Sequence, residues 1–498
     1  MKKRLAIGTA LLLSFLINTE LFAQNENDVL RYSTTDVFGS ARFEAMAGSF
    51  GALGADFSAI QINPAGMGRF SSSNVSLSFN NSSINNEAFY NGQMTESGRN
   101  KFTLSSGGVV LSTDLSQTNS GRRYSQFSFG YTRLKNFSNN QRYEGHNIYS
   151  LLDVFAHSGD GIDPEFISEY RPFSTGLAYS VHALNYNPSN FQYSPELTLN
   201  YGDIYHTREI NTEGGIGEFH IGYSENYMNQ FYYGGSLGIR RVNYDENYIH
   251  SERLIDTVGV TLRDFDYSYE QITRGTGVNL KLGILYLPTE QFRLGLAFES
   301  PTMINLEDEW SASMSATHEN NEHINSDYVP TGRFEYRIKT PMKLRASFAY
   351  IFGMRGAINM DLEMSRLQGG RLKPSNTTGS SSDAYTFNYE NEEVEYQFRT
   401  IMNTRIGIEY MVYTDLYLRC GIAVLPQPYK KELGNLNAPN MTYSTGIGWD
   451  NKYLSIDLSY RLLQINSEYY AFDPSKIENR TEFKTNMHNV VLTGRLKF

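Results

Sequence analysis

Cysteine is almost missing from this chain: Cys420 stands alone among 498 residues. A disulfide framework is thereby excluded, even in an oxidising compartment. Charge is scarce as well. Asp, Glu, Lys and Arg make up 19% of the residues and their balance is acidic, −10 overall, so there is no broad cationic footprint for a nucleic acid. Beyond the first twenty-odd residues no apolar run reaches the ~18 residues that a membrane-spanning helix needs. The nine histidines show no metal-ligand spacing and no catalytic motif. Neither a Gly-rich phosphate loop nor a zinc pattern occurs, and no haem-binding motif is visible. Nothing in the chain calls for an enzyme or a cofactor.

What the chain does have begins with its first residues. Lys2, Lys3 and Arg4 precede an apolar run over 5–17, and Leu21, Phe22 and Ala23 lead into polar residues from Gln24. This is the layout of a secretory signal peptide, expected over residues 1–23. A 13-residue run spans only about 20 Å against a bilayer core of roughly 30 Å, too short for an anchor. Removing this leader takes the net charge from −10 to −12.

The mature chain is rich in Tyr (36) and Phe (30), and its hydropathy alternates with period two rather than in helical stripes. Leu294, Leu296 and Phe298 alternate with Arg293, Gly295 and Ala297. Met342, Leu344, Ala346 and Phe348 alternate with Lys343, Arg345 and Ser347. Ile358, Met360, Leu362 and Met364 interleave with Asn359, Asp361 and Glu363, and Leu454, Ile456 and Leu458 with Ser455, Asp457 and Ser459. Successive strand side chains point to opposite faces, so each segment has one apolar and one polar face.

A β-sandwich would alternate too, but three features favour a transmembrane barrel. Short links at 287–291, 352–355, 413–415 and 450–451 alternate with long polar links at 245–262, 313–331, 367–393, 429–441 and 466–483. That is the layout of periplasmic turns and external loops. Aromatic residues gather near strand ends, as at Tyr269, Tyr286, Tyr350, Tyr413 and Tyr453, which suits interfacial girdles. The chain also ends in an amphipathic strand closing on Phe498, a pattern that looks like the recognition signal of the barrel-assembly machinery. The expected fold is an all-β, antiparallel transmembrane β-barrel of an outer membrane. Counting alternating segments yields sixteen strands, with the stretch 174–224 the least regular and one pair within it open to lying outside the membrane.

Residues 24–70 read differently. Gly and Ala are dense from Gly39 to Asp56, and Asn63, Pro64, Ala65 and Gly66 lie near the end. Small residues permit tight turns and close backbone approach, which points to a plug folded inside the lumen, with the barrel proper over 71–498. The alternative is a periplasmic tail.

The Asn63-Pro64-Ala65-Gly66 segment resembles the N-terminal hatch of the FadL/TodX family of outer-membrane transporters of long-chain fatty acids and aromatic hydrocarbons. Phe292 to Pro301 is similar to the family's R-x-G-x-x-Y-x-S-P strand. Asn403 to Tyr410 followed by Leu416 to Gly421 is similar to its R-x-G-x-E-Y…L-x-L-R-x-G hairpin. Cys420 and the diverged external loops depart from the pattern. The resemblance implies fourteen strands, a mostly monomeric barrel, and passage of a hydrophobic ligand from outer loops to a lumenal pocket. A hatch shift and lateral exit into membrane lipid follow. It names Asn63, Pro64, Ala65 and Gly66 as the hatch element.

Among other candidates, Leu151, Leu152, Val154 and Phe155 form an apolar stretch in an external loop and suit a capture groove, or else pack the loop onto the barrel. Inward-facing Arg345, Arg405 and Arg419 match a ligand carboxylate, or else pair with lumenal acids such as Asp361, Glu363 and Glu409. Gly107 and Gly108 either kink a strand and open the wall or accommodate an aromatic ring. The ligand class stays open among fatty acids, hydrocarbons and sterol- or haem-like compounds. A different class of function, a non-conducting barrel serving as a structural or docking part of a secretion machine, fits the same barrel.

Overall fold

Alternation has the consequence expected of a chain folded in lipid: the apolar faces point outward. On the strand Leu454–Tyr470, Leu458 is 46% exposed while Arg461, on the opposite face, is 1% exposed. The computed structural model describes residues 25–117, 120–196, 204–255, 261–319, 321–353, 355–430, 438–472 and 477–498, so the leader expected over 1–23 lies outside the described residues.

Among the described residues, fourteen antiparallel strands close a barrel. They are β1 (Asn74–Tyr90), β2 (Gln93–Asp114), β3 (Arg122–Asn136, resuming as Asn139–Asn147), β4 (Ile204–Tyr227), β5 (Phe231–Leu254) and β6 (Leu262–Tyr286). There follow β7 (Phe292–Glu299, resuming as Met303–His318), β8 (Thr331–Lys339, resuming as Lys343–Phe352) and β9 (Gly356–Arg366, resuming as Arg371–Pro374). The last are β10 (Thr400–Tyr413), β11 (Leu416–Leu425), β12 (Asn440–Asp450), β13 (Leu454–Tyr470) and β14 (Arg480–Lys497). Pairing of β1 with β14, from Asn74↔Lys497 to Tyr90↔Thr481, closes the ring. Closure is what lets strands cross lipid, since no edge is left with unpaired backbone groups.

The count of sixteen is corrected to fourteen. Residues Thr175–Ser180 are helical, and Leu184–Asn187 and Gln192–Pro195 form a small hairpin outside the barrel. Their apolar residues alternate because they pack into a cap over the barrel mouth, not because they line a wall.

The link alternation also has an exception. Strands β1 and β2 do not stop near 83 and 102 but run on to a two-residue turn at Asn91 (φ 43°) and Gly92 (φ 84°). That left-handed pair is the geometry Asn-Gly favours in a tight hairpin. Tyr286, Tyr413 and Tyr453 sit exposed at strand ends as expected. Tyr269 does not: it faces inward and stacks on Tyr248 with ring centroids 5.1 Å apart.

Two neighbouring strands break side by side, β7 at Ser300-Pro301-Thr302 and β8 at Thr340-Pro341-Met342. A proline cannot donate to the ladder. The Thr302 and Thr340 backbones bridge the interruption, with the Thr340 amide donating to the Thr302 carbonyl at 2.9 Å.

Candidate functional site

Residues 25–70 fill the lumen. They fold as helix α1 (Glu26–Ser33), helix α2 (Ala41–Ala45) and two 3-10 turns, Phe57–Gln61 and Pro64–Arg69, nearly all buried. Their fit depends on the wall. Inward-facing glycines occupy positions where any side chain would strike the segment. A Cβ on Gly295 would lie 2.5 Å from the Gly51 carbonyl oxygen, on Gly234 2.8 Å from that of Pro64, and on Gly421 2.6 Å from the Ala47 nitrogen. Gly407 and Gly446 make the same room for Met46 and Ala45, and Gly108 and Gly130 seat the Phe57 ring. The β1–β2 and β2–β3 ladders run through Gly107 and Gly108, so the wall is closed there, and of the two it is Gly108 that accommodates an aromatic ring while Gly107 lies against Leu77.

Asn63-Pro64-Ala65-Gly66 is the tightest point of this seat. The Asn63 side-chain oxygen accepts from the Ala65 amide at 3.1 Å, and its Nδ2 donates to the carbonyls of Gly51 (2.8 Å) and Ile284 of β6 (3.2 Å). One side chain thus caps its own turn, ties it to the preceding loop and anchors both to the wall. Gly66 lies against Gly54, where a Cβ would come within 3.0 Å of the Gly54 Cα.

Ion pairs fasten the same surfaces. Arg461 of β13 meets Glu44 of α2 at 2.9 Å, and Arg42 meets Glu409 of β10 at 2.8 Å. The Asp361 carboxylate accepts the amides of Phe50 (2.8 Å) and Gly51 (3.0 Å). Buried charges persist only when so paired. Arg345 is saturated by Glu363 (2.6 Å) and Glu299 (2.8 Å), and Arg419 by Glu409 (2.6 Å) and Asp457 (2.7 Å). Arg405 differs. Its contact with Glu363 is 3.5 Å, and its Nε and Nη1 have no hydrogen-bond partner although the residue is buried.

Toward the outer side, between α1 and the wall, lies a chamber of about 480 Å³. Leu30, Phe137, Leu367, Ile401, Leu425 and Met487 supply apolar lining, with Lys135 and Lys343 among the polar groups. Lys135 donates to Thr34 Oγ1 (2.6 Å) and Lys343 to Thr35 Oγ1 (3.1 Å). Asp28 on α1 pairs with Arg31 at 2.6 Å, and burial still pushes its carboxyl up to about 7.

The external stretch from Leu151 forms helix α3 (Leu151–Gly159), capped by Ser150. Leu151, Leu152 and Phe155 are buried in an apolar cluster with Leu177, Val181, Tyr267 and Met314, whereas Val154 is exposed. Three of the four therefore hold the cap together and one faces out. On the outer wall, beside the β7 and β8 breaks, runs an apolar groove of about 940 Å³ lined by Leu282, Leu296, Leu344, Met364 and Met402, with Ala297 and Arg345 also contributing. The glycine seat, the chamber and this groove all escaped sequence inspection. The recurring inward Gly on successive strands was the available signal for the first.

Such a wall, apolar outside and plugged inside with a partly apolar chamber, defines the class: a transmembrane β-barrel whose lumen holds an N-terminal hatch. Residues 268–497 match the family described as Outer membrane protein transport protein (OMPP1/FadL/TodX), so the FadL/TodX resemblance holds. The match includes the strand and hairpin motifs from Phe292 onward, while Asn63 to Gly66 lie outside it. Among solved structures, the P. putida toluene transporter TodX aligns at 14% identity and TM-score 0.54, covering 94% of this chain and 99% of that one. A Pseudomonas aeruginosa FadL homologue aligns at 13% identity and TM-score 0.56, covering 94% and 100%. Identities this low speak for the shared fold. Comparison with curated proteins returned no match. The matched family and the TodX neighbour are described as transport proteins rather than enzymes, and the family match and the barrel support an outer-membrane location.

Proposed function

We propose that this barrel takes up a hydrophobic small molecule of the fatty-acid or hydrocarbon type, that the hatch moves to pass it, and that the ligand leaves sideways into the membrane. The observation that carries this reading is the chamber of about 480 Å³ resting on the hatch, within the size range of small-molecule sites. Its apolar lining would be idle in a water-filled pore.

Val154 and its exposed neighbours Ile148 and Phe166 offer a first contact on the cap. Arg405, with two unpartnered donors, and the chamber-lining Lys343 are suited to an acidic headgroup. The hatch element is Asn63, Pro64, Ala65 and Gly66, whose hydrogen bonds to Gly51 and Ile284 must rearrange for passage. The external groove at the β7 and β8 breaks is the exit this reading favours, because lateral release keeps an apolar solute out of water. Export by the leader over 1–23, insertion directed by Phe498, and a monomeric state complete the proposal.

Mass spectrometry of apolar molecules extracted from protein purified out of native membranes tests it. A bound fatty acid or hydrocarbon, lost in Leu425→Trp, is the expected result. Protein free of such molecules that copurifies with stoichiometric partner proteins would overturn it in favour of a docking role.

A further inference from the structure

The apparent absence of metal-ligand spacing among the histidines reflects linear sequence, not space. On β5, His250 and Glu252 are two residues apart and share the inward face. On β4, register places His206 opposite Glu252. All three are at most 2% exposed, and their ligand atoms lie within 4.8 Å of one another. Glu252 Oε1 is 2.9 Å from His250 Nε2 and 3.7 Å from His206 Nε2. Ligand atoms on a tetrahedral zinc ion, each at 2.0–2.2 Å from the metal, stand about 3.3 Å apart.

Two features point to a ligand rather than to a self-sufficient hydrogen-bonded cluster. His206 is fully buried, yet its Nε2 makes no close hydrogen bond, with the Glu252 carboxylate 3.7 Å away and the Tyr149 backbone beside the ring. Its other nitrogen, Nδ1, is 3.1 Å from Tyr90 Oη, which in turn accepts from Asn147 Nδ2 at 2.6 Å. That is the outer-shell support that orients a metal-binding imidazole, the proton sitting on the nitrogen away from the metal. Arg208, the neighbouring cation, is stacked on the Tyr248 ring at 3.9 Å.

We propose that His206, His250 and Glu252 bind a zinc-type transition-metal dication, with water completing the coordination, and that the ion pins the cap to the barrel rim. Two imidazoles and a carboxylate suit zinc better than calcium or magnesium, which prefer all-oxygen shells. The pin follows from the other partners of Glu252. The carboxylate also accepts from Ser150 Oγ at 2.5 Å and from the Leu151 amide at 2.7 Å, so the site joins β4 and β5 to the start of α3.

The test uses the full-length protein in detergent, stripped with EDTA and then dialysed against zinc or cobalt. Expected are one tightly held zinc per chain more than in His206→Gln/His250→Gln, a tetrahedral cobalt absorption band absent from that variant, and slower proteolysis of residues 148–196 with zinc than with EDTA. Single His206→Gln, which leaves the Ser150 and Leu151 bonds untouched, should lose the band while the cap stays folded. Equal zinc content in wild type and double variant would overturn the site. One bound zinc with unchanged cap proteolysis would overturn the pin.

Discussion

The lumen has two halves that obey different rules. In the periplasmic half the hatch meets the wall backbone to backbone, through inward glycines, and the charges of α2 are paired with the wall, Glu44 with Arg461 and Arg42 with Glu409. In the outer half α1 leaves a chamber with apolar walls and lysines bonded only to neutral oxygens. The first half is packed like a protein interior, where even one added methyl group is felt. The second has room and unspent polarity. The lesson is that closure and recognition are built by separate sets of residues, so each can be damaged without the other.

The largest effect is expected from Arg461→Met. It leaves the buried Glu44 carboxylate without its partner, at a cost of about 3–5 kcal/mol to hatch docking. Planar-bilayer recordings should show a leaky barrel that still resists unfolding in detergent. Next comes Gly421→Val, which drives a side chain into the Met46–Ala47 backbone and should cost about 1–3 kcal/mol by overpacking. Gly494→Val is its control. That glycine has nothing within 4 Å of its Cβ position, so conductance should stay at the wild-type level.

Leu425→Trp strikes the other half. Partial filling of the chamber should weaken ligand binding about tenfold, or about 1.4 kcal/mol, in a fluorescence titration while conductance stays unchanged. If it opened the barrel instead, the two halves would not be separable.

The smallest effect belongs to Asp28. Its carboxyl lies at about 7 in the folded protein against 3.8 in the free side chain. Docking of α1 is thus fully supported below about pH 4 and loses that support as pH rises toward 7. Hydrogen exchange in α1 should quicken over that window in the wild type and lose the dependence in Asp28→Asn.

The sequence revealed the wall more readily than its contents, for a physical reason. A strand in lipid writes its orientation at every second residue, so Leu454 to Arg461 suffices to tell the faces apart. A hatch seat is written in glycines whose partners lie hundreds of residues away, as Gly421 is from Met46. Alternation tells an inward glycine such as Gly421 from Gly494, which faces lipid, but not what the inward one must seat. Asn91-Gly92 was a legible hairpin signal hidden by its polar flanks, because β1 and β2 continue above the apolar band. Cap residues such as Leu177 and Val181 imitated strand alternation while packing as a helix. Arg345, Arg405 and Arg419 were legible as inward arginines, but only geometry separates the two that are saturated from the one that is not.

The central claim is that the hatch must move. Ser49 and Asn359, whose side chains hydrogen-bond at 2.6 Å, are suited to an engineered disulfide across the seat, with Cys420 replaced by serine. The measurement is uptake of a radiolabelled fatty acid or hydrocarbon by cells carrying this variant, before and after reduction. The account predicts uptake that is blocked while the bond is oxidised and restored by reductant. Uptake at the same rate in both states would contradict it and leave the hatch a fixed part of the wall.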